Sequence, residues 1–283
     1  MNGIINVNKP NGISSNAVLT KIKRQFHISK IGHLGTLDPM ATGVLPVTIG
    51  KATRLFDYFL KKDKTYLATF TFGKETDTLD AEGQVIKQST VLPKKEQIEE
   101  VLIEFLGEIN QIPPQYSAKN VNGKRAYELA RQNVSFTLSA KKVHIFEYTL
   151  QEQLNDSTFT FFIHCSSGTY IRSLVRDLAS RLNTVGYMSA LVRLSSGQFK
   201  LVDSVNLDKL LYKNLEEHII SLKTILNNFE VVNLDDNYYK DLINGVKIPY
   251  KKEGEFLLYC KNELFGIARV EEGILKVKVY LKA

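Results

Sequence analysis

The chain has 283 residues, 43% of them hydrophobic and 24% charged, with a formal net charge of +7. That length and apolar content suit one large domain followed by a small one. No apolar run approaches the roughly 18 residues of a membrane span, and the opening MNGIINVNKP lacks the basic and apolar segments of a secretory leader, so the sequence reads as a soluble cytoplasmic protein.

In chain order, GIINVNK (3–9) predicts a strand, and Ser14 or Ser15 can cap a helix running to about Phe26 through Val18, Leu19 and Ile22. VLPVTIG (44–50) suits a strand and KATRLFDYFL (51–60) a short helix. KTYLATFTFG (64–73) alternates, with Tyr66, Ala68, Phe70 and Phe72 on one face. TDTLDAEG (76–83) is a polar turn before the strand VIKQ, and 94–106 makes an amphipathic helix. Residues 110–124, rich in Pro, Asn and Gly, form an irregular excursion ahead of the basic helix RAYELARQN. KKVHIFEYTL (141–150) and STFTFFIHCSS (157–167) pair as strands, GTYIRSLVRDLASRL (168–182) is a helix, YMSALVRLSSGQFK (187–200) returns to the sheet, and 207–227 is expected to be helical. From about 229 the short strand-like runs VVNL, INGVKIP, EFLLYC, LFGIARV and ILKVKVYL predict a small β-barrel. The fold class is therefore α+β, divided into a catalytic-sized domain over 1–228 and a β module over 229–283.

The charge is uneven. Residues 1–75 hold 11 Lys/Arg against 4 Asp/Glu, whereas 229–283 hold 9 of each, so the whole positive excess lies in the first quarter. A basic surface there attracts a phosphate backbone, although +7 by itself also serves solubility. Cys165 and Cys260 stand alone, and the five histidines show no HExxH or HxxxH spacing, so two reduced thiols and no metal are expected. Residues 32–46, GHLGTLDPMATGVLP, place three of the 17 glycines around one Asp-Pro pair. Glycine permits positive φ and close backbone approach; taken alone, Asp38 is equally well an ordinary turn residue.

The stretch around Asp38, with KATR after it, resembles the nucleophile motif of the TruB family of bacterial tRNA pseudouridine-55 synthases. NKPNGISSN (8–16), KTY (64–66), TDTLDAEG, PPQYSAKNVNGKRAYELAR (113–131), CSSGTYIRSLVRDLA (165–179) and ALVRLSSGQF follow in that family's order. The tail is similar, more loosely, to its C-terminal PUA-type RNA-binding module. The resemblance implies a mixed, mostly antiparallel sheet with helices around a central cleft. It also implies isomerisation of uridine 55 in the tRNA T-loop, acting alone as a monomer and without a cofactor.

On that resemblance Asp38 is the catalytic aspartate, Arg172 its guanidinium partner and Asp80 a carboxylate of the same charge network. Such a partner is needed, because burial alone neutralises a carboxyl group. Tyr66 is the ring under the target base and a candidate to help remove the C5 proton; Leu191 closes the other side of the uracil pocket. His33 fills the space left when nucleotides flip out, and Gly32 and Gly35 let its loop approach RNA. Lys9, Arg54, Lys124 and Arg131 are candidate phosphate contacts. Asn120 departs from the family, which usually carries lysine there. Without the resemblance, Arg172 is a surface helix arginine sharing a face with Arg176, Asp80 a turn residue, and Tyr66 and Leu191 plain core residues. The rival function is a noncatalytic RNA-binding or RNA-folding protein on the same scaffold. A carboxylate-nucleophile phosphotransferase is disfavoured by Met40, where that class wants a second acid.

Overall fold

The computed structural model describes residues 1–282 apart from 118, 122, 133 and 213. Its backbone is an 11-stranded sheet whose main path runs Val205–Asn206, Gly3–Lys9, Thr42–Ile49, Gly186–Ser196, Lys64–Phe72, Thr158–Cys165, Lys141–Asn155, Gly107–Gln111. Only the first pairing and that of Thr42–Ile49 with Gly186–Ser196 are parallel. The alternation of Lys64–Phe72 turns Tyr66, Ala68, Phe70 and Phe72 into the core, while Thr65, Thr69 and Thr71 stay half-exposed on the other face.

Helices cover the apolar face. Ser14 caps Ser15–Gln25 by accepting from the Ala17 N–H, and Val18 and Ile22 are its buried residues. Ser15 is buried, and its hydroxyl donates to Leu37 O (3.0 Å) and accepts from Leu37 N (2.9 Å), which fastens the loop entering Asp38. The Ile171–Arg181 helix buries Ile171, Leu174, Val175 and Leu178 as its spacing predicts, but Arg172 is buried with them. In place of one helix over 207–227 there are short helical pieces at Leu207–Leu211, Leu215–His218 and Leu222–Ile225. Asn214 and Ser221 each cap a new turn, and Ile220 joins the sheet beside Ile4, so the single helix is interrupted.

The tail forms a separate five-stranded sheet ordered Glu230–Leu234, Gly254–Cys260, Glu263–Glu271, Ile274–Tyr280, Ile248–Pro249, a PUA-like module. Most of INGVKIP is not strand: only Ile248–Pro249 pair in the sheet, and a short helix, Tyr239–Ile243, ends at the segment's first residue. The two sheets share one apolar seam, in which Leu257, Ile267 and Leu281 of the tail pack into a cluster with Leu34, Val44, Leu55 and Phe59.

Candidate active site

Asp38 sits between the strands Ile31–His33 and Thr42–Ile49, in a loop held from several sides. Gly12 N donates to Pro39 O (3.0 Å), Ala41 N donates to Asp38 O (3.1 Å), and the Lys9 ammonium donates to Pro39 O (2.9 Å). Gly35 has φ +126°, which a residue with a Cβ adopts only under strain. At Gly43 a Cβ would lie 2.3 Å from Arg193 O, so this glycine serves a close approach between two strands of the protein itself.

Arg172 grips Asp38 with two nitrogens, Nε to Oδ2 at 3.0 Å and Nη2 to Oδ1 at 3.1 Å. Its Nη1 reaches Asp80 Oδ2 at 3.3 Å and donates to Thr78 O at 3.1 Å; Nη2 also donates to Tyr116 O at 3.1 Å. Arg172 is thus a buried clamp and not a surface arginine. Asp80 is oriented in turn by the Thr78 hydroxyl (2.6 Å) and the Glu82 N–H (3.1 Å) on its Oδ1. Leu79 takes a positive φ of 61° and accepts from Met188 N through its carbonyl, so the TDTLD turn docks on the edge of the Gly186–Ser196 strand and delivers Asp80 inward. The Asp38 side chain keeps 32% of its surface open, against 8% for Arg172 and 4% for Asp80. Of the three, only Asp38 presents itself to an incoming molecule. Burial pushes its carboxyl above the ordinary aspartate value; Arg172 opposes the rise and Asp80 adds to it.

Tyr66 and Leu191 are buried on adjacent strands, Tyr66 opposite Arg193 and Leu191 opposite Ala68. Burial pushes the Tyr66 phenol up to about 12, against the pull of the Arg193 guanidinium. His33 is half-buried on the Ile31–His33 strand, its Nδ1 facing the Gly35 N–H at 3.4 Å. Burial, reinforced by Arg193, holds its imidazole below the usual value and so favours the neutral ring.

One of the four expected phosphate contacts is placed differently. Lys9 is 0% exposed, and its ammonium donates to Pro10 O, Ile13 O and Pro39 O at 2.8, 2.6 and 2.9 Å. All three of its donors are spent on the protein's own carbonyls, so Lys9 is an internal brace for the Asp38 loop and not a phosphate ligand. Burial lowers it to about 8. Arg54 is exposed but ties Tyr280 O of the tail (2.8 Å), while Lys124 and Arg131 are exposed on the hairpin and helix after the irregular excursion. Asn120 closes that hairpin by accepting from Gly123 N at 2.8 Å.

Sequence reasoning missed Arg193 and Glu82. Arg193 lies at the same parity as Leu191 in an alternating strand, and a charged residue at a core-facing position was the available signal. Glu82 stands in the TDTLDAEG turn close enough to feel Asp80, Asp38, Lys9 and Arg172, and burial followed by the two aspartates raises its carboxyl. Among the described residues, no cluster of His, Cys, Asp and Glu could hold a metal ion, and no helix is long and apolar enough to cross a membrane.

Comparison with known proteins gives a consistent result. The model of the TruB family pseudouridylate synthase N-terminal domain matches residues 23–171. A protein named tRNA pseudouridine synthase B from Clostridium kluyveri is 41% identical over 267 residues, covering 94% of this chain and 91% of its own. The protein of the same name from Francisella tularensis is 39% identical, covering 97% and 93%. Among solved structures, a Cbf5–Nop10–Gar1 complex matches at a TM-score of 0.72 with 23% identity, over 99% of this chain and 85% of that one. An H/ACA RNP bound to a substrate RNA matches at 0.71 with 22% identity, over 99% and 85%, a likeness of fold.

Proposed function

The chain belongs to the TruB family of pseudouridylate synthases, and from that premise we propose that it converts uridine 55 in the T-loop of tRNA into pseudouridine. The observation that carries this reading is the open carboxylate of Asp38, held in two-pronged geometry by a buried guanidinium that Asp80 secures from behind. A protein that only bound or folded RNA has no use for an open carboxylate whose neutralisation by burial is opposed by a dedicated buried guanidinium, so the enzymatic reading is preferred to the noncatalytic one.

The reaction breaks the N1–C1′ bond, forms a C5–C1′ bond, removes a proton from C5 and returns one to N1. Nothing is oxidised and no atom is gained or lost, so the chemistry needs no cofactor. Asp38 supplies the negative charge that answers C1′ as N1 departs. Arg172 orients it and opposes its neutralisation by burial, and Asp80 fixes Arg172. Tyr66 and Leu191 line the two sides of the uracil, whose extrusion from the folded loop costs a few kcal/mol; stacking on the tyrosine returns ~1–3 kcal/mol. A neutral His33 fills the gap in the loop. Lys124, Arg131 and Arg54 take phosphates. We further propose that residues 1–228 form the synthase domain and 229–283 an RNA-binding module, and that the protein works in the cytoplasm as a monomer on tRNA alone.

The test is tritium release from tRNA labelled at uridine C5, followed by mapping of the modified position. Release with modification confined to position 55 is expected. An absence of release from every T-loop substrate would rule out the reaction, and release from a different uridine would correct the site.

A further inference from the structure

Arg193 is the largest side chain that the fold encloses fully. Its guanidinium donates to Val44 O from Nε (2.7 Å), to Thr36 O from Nη1 (3.3 Å) and to Gly35 O from Nη2 (3.0 Å). Gly35 and Thr36 precede Asp38, and Val44 follows it, so one side chain ties both ends of the Asp38 loop. On the neighbouring strand Arg193 stands directly opposite Tyr66, so both side chains lie on one face, and its positive charge acts on the phenol. Among the described residues Arg193 forms no ion pair with a carboxylate.

An enclosed guanidinium without an acid is costly, and a core that needed only packing would do better with an apolar side chain. Tyr66 suggests what the charge is for. Once the C5–C1′ bond has formed, C5 carries a surplus proton and N1 lacks one. If the Tyr66 oxygen gives its proton to N1 and takes the one leaving C5, the phenol is regenerated and the charges balance. In between, the tyrosine is a phenolate, which its burial opposes and an adjacent cation stabilises.

We propose that Arg193 is a positioning residue for the proton transfer at uracil C5, holding the Tyr66 oxygen and the Asp38 loop in one register and stabilising the passing phenolate. This role rests on the pseudouridine-forming reading and on Tyr66 as the group that meets C5. It differs from that of Arg172, which acts on the carboxylate.

The test compares Arg193→Lys and Tyr66→Phe with the parent in single-turnover reactions, on tRNA carrying hydrogen or deuterium at uridine C5. Lysine keeps the charge but lacks the planar fork that reaches three carbonyls of the Asp38 loop beside Tyr66. For Arg193→Lys we expect the rate to fall by ~10²-fold, in the range of general acid–base effects, with tRNA affinity within about twofold and an isotope effect larger than the parent's. A slower enzyme with an unchanged isotope effect would reduce Arg193 to a loop anchor, and an unchanged rate would remove it from the reaction. Normal turnover by Tyr66→Phe would instead discard the role of Tyr66. If Arg193→Lys fails to fold, fluorotyrosines placed at Tyr66 beside the native arginine decide the matter. The C5 isotope effect should then vary with phenol acidity, and indifference to it overturns the proposal.

Discussion

Replacing Arg172 by lysine keeps one positive charge in place and removes the plane. The guanidinium makes two contacts with Asp38, one with Asp80, and one each with Thr78 O and Tyr116 O. An ammonium has three donors at a single point, so it can approach one carboxylate while abandoning the two-pronged grip on Asp38. Each lost bond to a charged group is worth ~1.5–3 kcal/mol. Losing one such bond to Asp38 and the aim it provides should remove about 3 kcal/mol from the transition state, or ~10²-fold in rate. Single-turnover tritium release at saturating enzyme reads that loss directly, and filter binding checks that tRNA affinity is retained. Turnover within about tenfold of the parent, in a protein that folds and binds normally, would refute the claim that Arg172 aims Asp38.

Further outcomes are expected. Asp38→Asn should abolish turnover and leave binding largely intact. Because burial raises the Asp38 carboxyl, parental activity should fall on acidification at a higher pH than an ordinary aspartate would dictate. By the same shift the folded parent holds that proton more tightly than the unfolded chain, so its stabilising effect is full below the ordinary aspartate value and fades as pH rises through the raised one. The melting temperature of Asp38→Asn should therefore gain on the parent's as pH rises across that window, and the opposite trend would contradict the assignment. Lys9→Met, which orphans three carbonyls, should lower the melting temperature without changing the salt dependence of tRNA binding; neutralising Lys124 and Arg131 should flatten that dependence with little change in melting. Removing 229–283 uncovers the seam at Leu34, Val44, Leu55 and Phe59 and should lower the melting temperature, whereas a truncated chain that melted with the parent would show the seam contributes nothing.

Local pattern carried much of this protein. The alternation of residues 64–72, the apolar spacing of 171–182 and the capping serine at position 14 are short-range properties, and each determined its element because burial of one face and the hydrogen-bonding needs of a helix end act within a few residues. Asp38, Arg172 and Asp80 were legible as candidates because the resemblance picks them out in order. Only the tertiary structure decided what their side chains do. Arg172 and Arg176 share a helix face, and nothing local says that one is a buried clamp while the other bonds Ile112 O near the surface. Lys9 read as a surface cation because lysines usually are. It became an internal brace because Pro10, Ile13 and Pro39 turn three carbonyls toward one point, 30 residues separating the last of them from the lysine. Arg193 needed the pairing of three strands to bring Gly35, Val44 and Tyr66 around it. A charge is satisfied by whatever the fold brings within hydrogen-bonding distance, and that neighbourhood is a property of the closed chain rather than of adjacent residues.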